Sequence, residues 1–474
     1  MKKPNVIILL LDAVRTKNLS IYGYHKDTTP NMSKILTDST LYKNMISSSY
    51  WTMPSVASLF TGTYVSEHYL VHNGDKLTTD LTTIAEKLKE LGYYTLGISP
   101  NPFASGYSGL DRGFDVFENF YDNSFKHKVF SIFNKYIKSD IKKPNNITEE
   151  KKDKDNIFTK FSKKIYWELS GLSDKFARKT NNEIVHFIKN HDRNIPFFIY
   201  AHYNESHTPF VIPNKYRYKF LNKENKKEMW KIEQDLIKYY MDDDLNIEDA
   251  RLLEEIYEGS INYLDNTVYN LYKFLEKEKI LDNTIFIITS DHGDQFGEHG
   301  LVFHEFSLYE TLIKVPLIIR YPKGYPKNIV NYDIVQNVDI FPTILDVINE
   351  SENFSQLQGN SLISDSIKNR DNFAISELYK PLGPRLVPYK NKLLHYDKKL
   401  LSIRTENKKF IYSSDGVHEL YDIKKDPNEV NNIYEKNYDI ESEFGIDSKK
   451  WIDKFELVSE YSKSLLELRS KVIK

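Results

Sequence analysis

The chain has 474 residues, with 65 Lys and Arg against 67 Asp and Glu, for a formal charge of −2. That balance gives no electrostatic footprint for nucleic acid or an anionic membrane surface, so the expected partner is a small or discrete substrate. The absence of cysteine excludes disulfides, thiolate metal sites and a cysteine nucleophile together.

Met1-Lys2-Lys3 and the apolar residues after them have the outline of a signal peptide, but the run from Asn5 to Leu11 ends in Asp12 and not in a small-residue cleavage site. The run is β-branched and leucine-rich without strict alternation, which predicts a strand covered on both faces of a parallel sheet, with Asp12 at its carboxyl end. No uninterrupted apolar run approaches the ~18 residues of a membrane span. A soluble, cytoplasmic protein with no membrane span is expected.

Ser47 to Gly62 predicts a loop entering a helix, with Pro54 in the first turn and Gly62 at the exit. Thr52 then sits at a positive helix end, where free N–H groups favour an anion. Its hydroxyl either caps the helix or faces a bound tetrahedral group. Thr83-x-x-Glu86 has capping-box spacing ahead of Ile84, Leu88 and Leu91, and Gly92 separates that helix from a strand over Tyr94 to Ile98. Residues from about 119 to 180 turn Lys-rich, with a polar stretch from Lys142 to Asn156, and predict an inserted cap.

Phe197-Phe198-Ile199-Tyr200 predicts another strand, followed by His202 and His207. A Lys- and Glu-rich helical stretch, about Asn222 to Tyr257, precedes the most informative segment, Ile285 to Thr289 running into Ser290-Asp291-His292-Gly293. An adjacent Asp and His at a strand end are costly to bury unless a partner or metal satisfies them. Ligands in open α/β sheets bind beyond the carboxyl ends of the strands, so three strands converge Asp12, His202 or His207, and Asp291 with His292 on one rim. After Leu345 the rhythm changes: Ser402 to Arg404, Lys409 to Tyr412 and Glu419 to Asp422 predict an antiparallel meander, turning at Ser414-Asp415-Gly416, with a closing helix after Lys449. Length alone suggests about three domains. The spread from Asp12 to His304 instead predicts one large catalytic domain, residues 1–370, and a smaller C-terminal α+β subdomain, residues 371–474.

Asp12 with Arg15, Tyr22-Gly23, Thr29-Pro30-Asn31, Thr52-x-Pro54-Ser55, Thr61-Gly62, His207-x-Pro209, Ser290-Asp291-His292-Gly293, Gly297-Glu298-His299-Gly300 and Val315-Pro316 closely resemble the sulfatase family of the alkaline phosphatase superfamily. Asp339 to Thr343, Arg404 with Lys409, and Glu419 through Pro427 are similar to that family's C-terminal part. The resemblance implies an alkaline phosphatase-like, mostly parallel sheet sandwiched by helices, and a metal-dependent ester hydrolase or transferase. Two departures bear on the chemistry. Sulfatases of the usual kind carry Cys or Ser, matured to formylglycine, in Cys/Ser-x-Pro-Ser-Arg; here Thr52 and Val56 occupy the first and last positions, and a secondary alcohol cannot become that aldehyde. The family's usual Asp-Asp pair after strand one is Asp12-Ala13 here, and its frequent Asn after the later Asp is His292. These changes resemble the phosphonate monoester hydrolases and the lipoteichoic-acid synthase and phosphoglycerol transferase group.

Asp12, Asp291, His292 and the Thr52 oxygen make a ligand set for one divalent metal, Mn²⁺ or Zn²⁺ ahead of Ca²⁺, which demands six to eight oxygens. Thr52 is then the nucleophile. The resemblance implies that His207 and His304 contact the anionic group and protonate the leaving oxygen, with Arg15 and His202 as further candidates. Asn204 stands where two-metal relatives keep a carboxylate, which favours one metal. His68, His72 and His299 are expected to be structural. The expected substrate is a small-molecule, glycan or lipid-linked phosphate or sulfate ester. The rival readings are a sulfate-ester hydrolase without formylglycine and a catalytically silent metal-binding protein.

Overall fold

The computed structural model describes residues 3–120, 171–222, 226, 247–350, 354–363, 372–379, 393–436 and 438–472. Fourteen strands follow in chain order: β1 (Asn5–Leu11), β2 (Thr40–Ile46), β3 (Tyr94–Ser99), β4 (Val116–Asn119), β5 (Phe197–Tyr203), β6 (Thr284–Thr289), β7 (Gln295–Phe296), β8 (Val302–Phe303), β9 (Lys314–Arg320), β10 (Ile329–Gln336), β11 (Phe373–Leu378), β12 (Leu400–Thr405), β13 (Lys408–Ser413) and β14 (Glu419–Asp422). Eight of them form one sheet in the order β10-β2-β9-β6-β1-β5-β3-β4. All its pairings are parallel except those of β9 with β2 and with β6.

β1 lies at the centre because both of its faces are apolar. Ile7, Leu9 and Leu11 pack on one side with Ile199, Tyr203 and the helix Ile247–Lys277. Val6, Ile8 and Leu10 pack on the other with Met53, Phe60, Phe198 and Ile344. Val6 to Leu10 are fully buried, each worth roughly 1.5–3 kcal/mol of transfer free energy. The register aligns three strand ends, since Leu11 pairs with Tyr203 and Leu10 with Thr289. Asp12, the segment after Tyr203 and the segment after Thr289 therefore emerge side by side.

β11-β12-β13-β14 form the separate antiparallel sheet, covered by the helix Ser448–Val472, whose Phe455 and Val458 join Ile375, Leu401 and Phe410. The meander contains the three strands expected from its alternation, but β11 was not legible. Its six residues are all buried.

Several expectations change. β5 runs through to Tyr203, so His202 lies within the strand and not after it. The helix expected to end near Tyr257 continues to Lys277, because Ile261, Leu264, Val268, Leu271 and Leu275 sustain its buried stripe. The capping box forms at Thr83 and Glu86 as the spacing predicts. Of the expected cap insertion, residues 121–170 lie outside the described residues, as do the boundary at 370/371 and most of the stretch from 222 to 246.

Candidate active site

Asp12, Asp291 and His292 bring one ligand atom each within 4.8 Å of one another, and all three are buried. Their hydrogen bonds select which atom is left over. Asp12 Oδ2 is engaged by His202 Nε2 at 2.9 Å and accepts from Asn101 Nδ2 at 2.8 Å, leaving Oδ1 without a hydrogen-bond partner. Asp291 Oδ1 accepts from the backbone N–H groups of Ala13 (3.1 Å) and His292 (2.9 Å), leaving Oδ2 without one. His292 Nδ1 meets the Gly293 carbonyl at 2.8 Å, so the ring presents Nε2. That nitrogen is 3.5 Å from Asp12 Oδ1 and 3.7 Å from Asp291 Oδ2. Two buried carboxylate oxygens with no hydrogen-bond partner among the described residues, converging on an imidazole nitrogen, are what a divalent cation compensates. The residues fit the metal that the family implies.

Burial alone would raise both carboxyls. Asp12 is nevertheless held well below the usual carboxylate range by His207, the His202 hydrogen bond and His292. Asp291 is pushed up by burial and by the neighbouring Asp12.

Thr52 opens the helix Thr52–Thr61, whose cap is Trp51 with no side-chain capping bond. The capping alternative is therefore not realised, and the hydroxyl points instead toward His292 Nε2 at 3.4 Å and Asn101 Nδ2 at 3.3 Å. Pro54 lies in the first turn and Gly62 ends the helix at φ 67°, donating to the Ser58 carbonyl at 2.9 Å. Asn101 went unread in the sequence. It follows β3 as Asp12 follows β1, and that position just beyond a strand's carboxyl end was the available signal. Its Oδ1 accepts from Phe103 N at 2.9 Å, which turns the amide nitrogen toward Asp12 and Thr52.

His207 and His304 stand above the cluster, with ring centroids 4.8 Å apart and His304 4.6 Å from His292. Burial lowers His207 to about 3, so it is neutral, and its Nδ1 contacts the Thr208 carbonyl at 2.6 Å. Burial opposes charge on His304 as well, but its contact with Asp294 at 3.0 Å raises it to about 9. It is an imidazolium at neutral pH.

Arg15 is placed otherwise than expected. Its buried guanidinium donates to Asn18 Oδ1 (2.6 Å), the Asp294 carbonyl (2.7 Å), Glu298 (2.9 Å) and Glu254 (2.8 Å). A planar fork committed to two carboxylates ties β1's loop to the long helix. His202, bonded to Asp12 and through Nδ1 to the Tyr200 hydroxyl at 2.9 Å, orients the carboxylate. His68 contacts Ser58 Oγ at 3.0 Å and accepts from Leu70 N at 3.1 Å, and His299 stacks on Tyr309 with centroids 3.7 Å apart, both remote from the cluster's bonds.

The sequence matches the model of the sulfatase family over residues 4–351. The chain belongs to the sulfatase family. Residues 297–447 also match the C-terminal model of N-sulphoglucosamine sulphohydrolase. The chain is 27% identical over 494 residues to the N-acetylglucosamine-6-O-sulfatase of Bacteroides thetaiotaomicron, covering 92% of this chain and 83% of that one. Its fold superposes with a TM-score of 0.68 on the phosphonate monoester hydrolase of Agrobacterium radiobacter, at 20% identity, covering 99% and 96% of the two chains. A protein solved in complex with its substrate D-glucosamine-2-N,6-O-disulfate gives 0.67 at 23% identity, with 98% of each chain covered. The protein is an ester hydrolase of this family.

Proposed function

We propose that the protein cleaves an ester of a tetrahedral anionic group through Thr52, with a phosphate ester (diester, monoester or phosphonate) as the preferred substrate class. The position of the Thr52 hydroxyl carries this reading, since it is free of capping and lies 3.4 Å from the His292 nitrogen beside the unpartnered Asp12 and Asp291 oxygens. Asp12 Oδ1, Asp291 Oδ2, His292 Nε2 and Thr52 Oγ1 would hold one Mn²⁺ or Zn²⁺. Bound there, the cation supplies positive charge that acidifies the Thr52 hydroxyl and offsets charge on the transferring group.

The chain's own groups account for the remaining steps. Thr52 Oγ forms a bond to phosphorus as the bond to the leaving oxygen breaks, its proton passing to solvent. The leaving oxygen keeps the electron pair and takes a proton from the His304 imidazolium, whose charge Asp294 maintains. Asn101 Nδ2 holds the Thr52 oxygen in line. Water then attacks phosphorus and gives a proton to His304, while the phosphorus–Thr52 bond breaks with its electron pair going to the Thr52 oxygen, which takes back a proton from solvent. A sulfate ester is the second reading, favoured by the names of the relatives and served by the same nucleophile without formylglycine.

The test is a panel of aryl phosphate, phosphodiester, phosphonate and sulfate esters, run on the parent and on Thr52→Ala at matched metal content. Turnover of a phosphorus ester is expected, falling by several orders of magnitude in Thr52→Ala while metal is retained. Preferential sulfate cleavage selects the second reading, and parental rates in the variant would return Thr52 to a structural role. Absence of turnover across the whole panel would identify a silent member of the fold.

A further inference from the structure

Lys175 belongs to no motif in the sequence, yet its ammonium reaches the site from the far end of the residues expected to form an insertion. The side chain is half-buried and donates to the backbone carbonyl of His207. That is its one hydrogen bond among the described residues, so none of them takes its other two N–H groups. The carboxylates of Asp12, Glu205 and Asp294 are near enough to favour its charge.

The backbone holding Lys175 is fixed on both sides. Asp174 Oδ1 accepts from Phe176 N at 3.2 Å, and its Oδ2 accepts from Arg178 N at 3.2 Å and from the Tyr263 hydroxyl at 2.5 Å. Glu205 Oε1 accepts from Ala177 N at 2.8 Å. Between these anchors Phe176 sits at φ 85°, a conformation that a bulky side chain adopts only where its surroundings impose it. The lysine is thus presented by a rigid turn at the start of the helix Ala177–Asn190.

The site needs a cation there. Arg15 has its fork committed to Glu254 and Glu298, and Val56 stands where the resembled motif has Arg. Among the described residues, the charged donors left to meet an incoming anion besides a metal are Lys175 and His304. Burial lowers Lys175 to about 8, against the pull of Asp12, which leaves it charged at neutral pH. Burial and Asp174 raise Glu205 to about 8, so that neighbour leaves most of the lysine's charge uncompensated.

We propose that Lys175 is a substrate-binding residue whose ammonium contacts a non-reacting oxygen of the ester's tetrahedral anionic group. The proposal rests on the functional reading above. The competing explanation is that Lys175 only latches the His207 segment.

Lys175→Gln separates the two, because an amide can still donate to the His207 carbonyl but carries no charge. In the metal-loaded full chain, inhibition by inorganic phosphate and by sulfate is measured for the parent, Lys175→Gln and Lys175→Arg, with metal content and thermal midpoint as controls. Losing a charged hydrogen bond predicts a Ki for the preferred anion raised about tenfold to a hundredfold in Lys175→Gln. Largely parental values are expected in Lys175→Arg, with metal and midpoint unchanged in both. A parental Ki in Lys175→Gln overturns the proposal and leaves the latch. If the parent itself binds neither anion, the functional reading fails first and this proposal falls with it.

Discussion

At the scale of single residues, the site is built by saturating one oxygen of each carboxylate and leaving the other open. Asp291 shows what this implies. Its Oδ1 takes two backbone N–H bonds that an Asn oxygen can accept equally well, whereas its Oδ2 faces the metal position with no hydrogen-bond partner. Asp291→Asn therefore keeps the local bonds, deletes one ligand and removes the repulsion from Asp12 that helps to raise the carboxyl. Metal content by elemental analysis should fall to near zero, and the chelator-treated variant should melt above the chelator-treated parent. Full metal occupancy in the variant would remove Asp291 from the ligand set.

At the scale of elements, the loop after β6 depends on a close backbone approach that only glycine permits. A Cβ built on Gly293 would lie 2.2 Å from the Thr311 carbonyl oxygen and 2.7 Å from Arg15 Cβ. The Gly293 N–H also donates to the Leu312 carbonyl at 2.7 Å, and its own carbonyl orients the His292 ring. Gly293→Ala must push this loop away from Thr311, displacing His292 from Asp12 and Thr52. The expected outcome is a metal affinity weakened at least about tenfold, in the range found when groups supporting metal ligands are disturbed, with a far-ultraviolet circular dichroism spectrum close to the parent's. Isothermal titration with Mn²⁺ or Zn²⁺ measures it, and an unchanged affinity would mean that the loop absorbs the methyl group without moving His292.

At the scale of the whole molecule, the eight-stranded sheet and the antiparallel sheet are joined by buried charge as well as by apolar packing. Glu310, beside β9, meets Arg404 of β12 at 3.3 Å and Lys409 of β13 at 3.6 Å, and Lys409 reaches Glu429 at 2.6 Å. Burial would raise Glu310, but Arg404 and Lys409 hold it well below its ordinary value of 4.5. A carboxyl depressed in the folded state binds fewer protons there than in the unfolded chain, so its stabilisation is present above pH 4.5 and is lost as the pH falls below it. Glu310→Gln leaves Arg404 and Lys409 partly uncompensated and should cost roughly 3–5 kcal/mol at pH 7. Urea unfolding followed from pH 7 downward should show parent and variant converging under pH 4.5; a gap independent of pH would show that the charge of Glu310 is not what joins the sheets.

The sequence by itself determined the family, the strands that lead into Asp12 and Asp291, the helix that carries Thr52, and the candidate cluster of Asp12, Asp291 and His292, because strand burial and helix punctuation are local patterns and two polar residues at a buried strand's end are conspicuous. It could not decide which oxygen of each carboxylate stays open, since that depends on His202, Asn101 and the Ala13 amide arriving from separate strands. Nor could it show that Arg15, a candidate for the second half of the site, has its fork taken by Glu254 and Glu298. Lys175 was invisible for the same reason, and only its place beyond the end of β3 marked Asn101. Each is an ordinary polar residue in its own segment; the parallel register of β1, β3, β5 and β6 brings Asn101 to the rim, and the bond from Ala177 N to Glu205, beyond β5, brings Lys175 there.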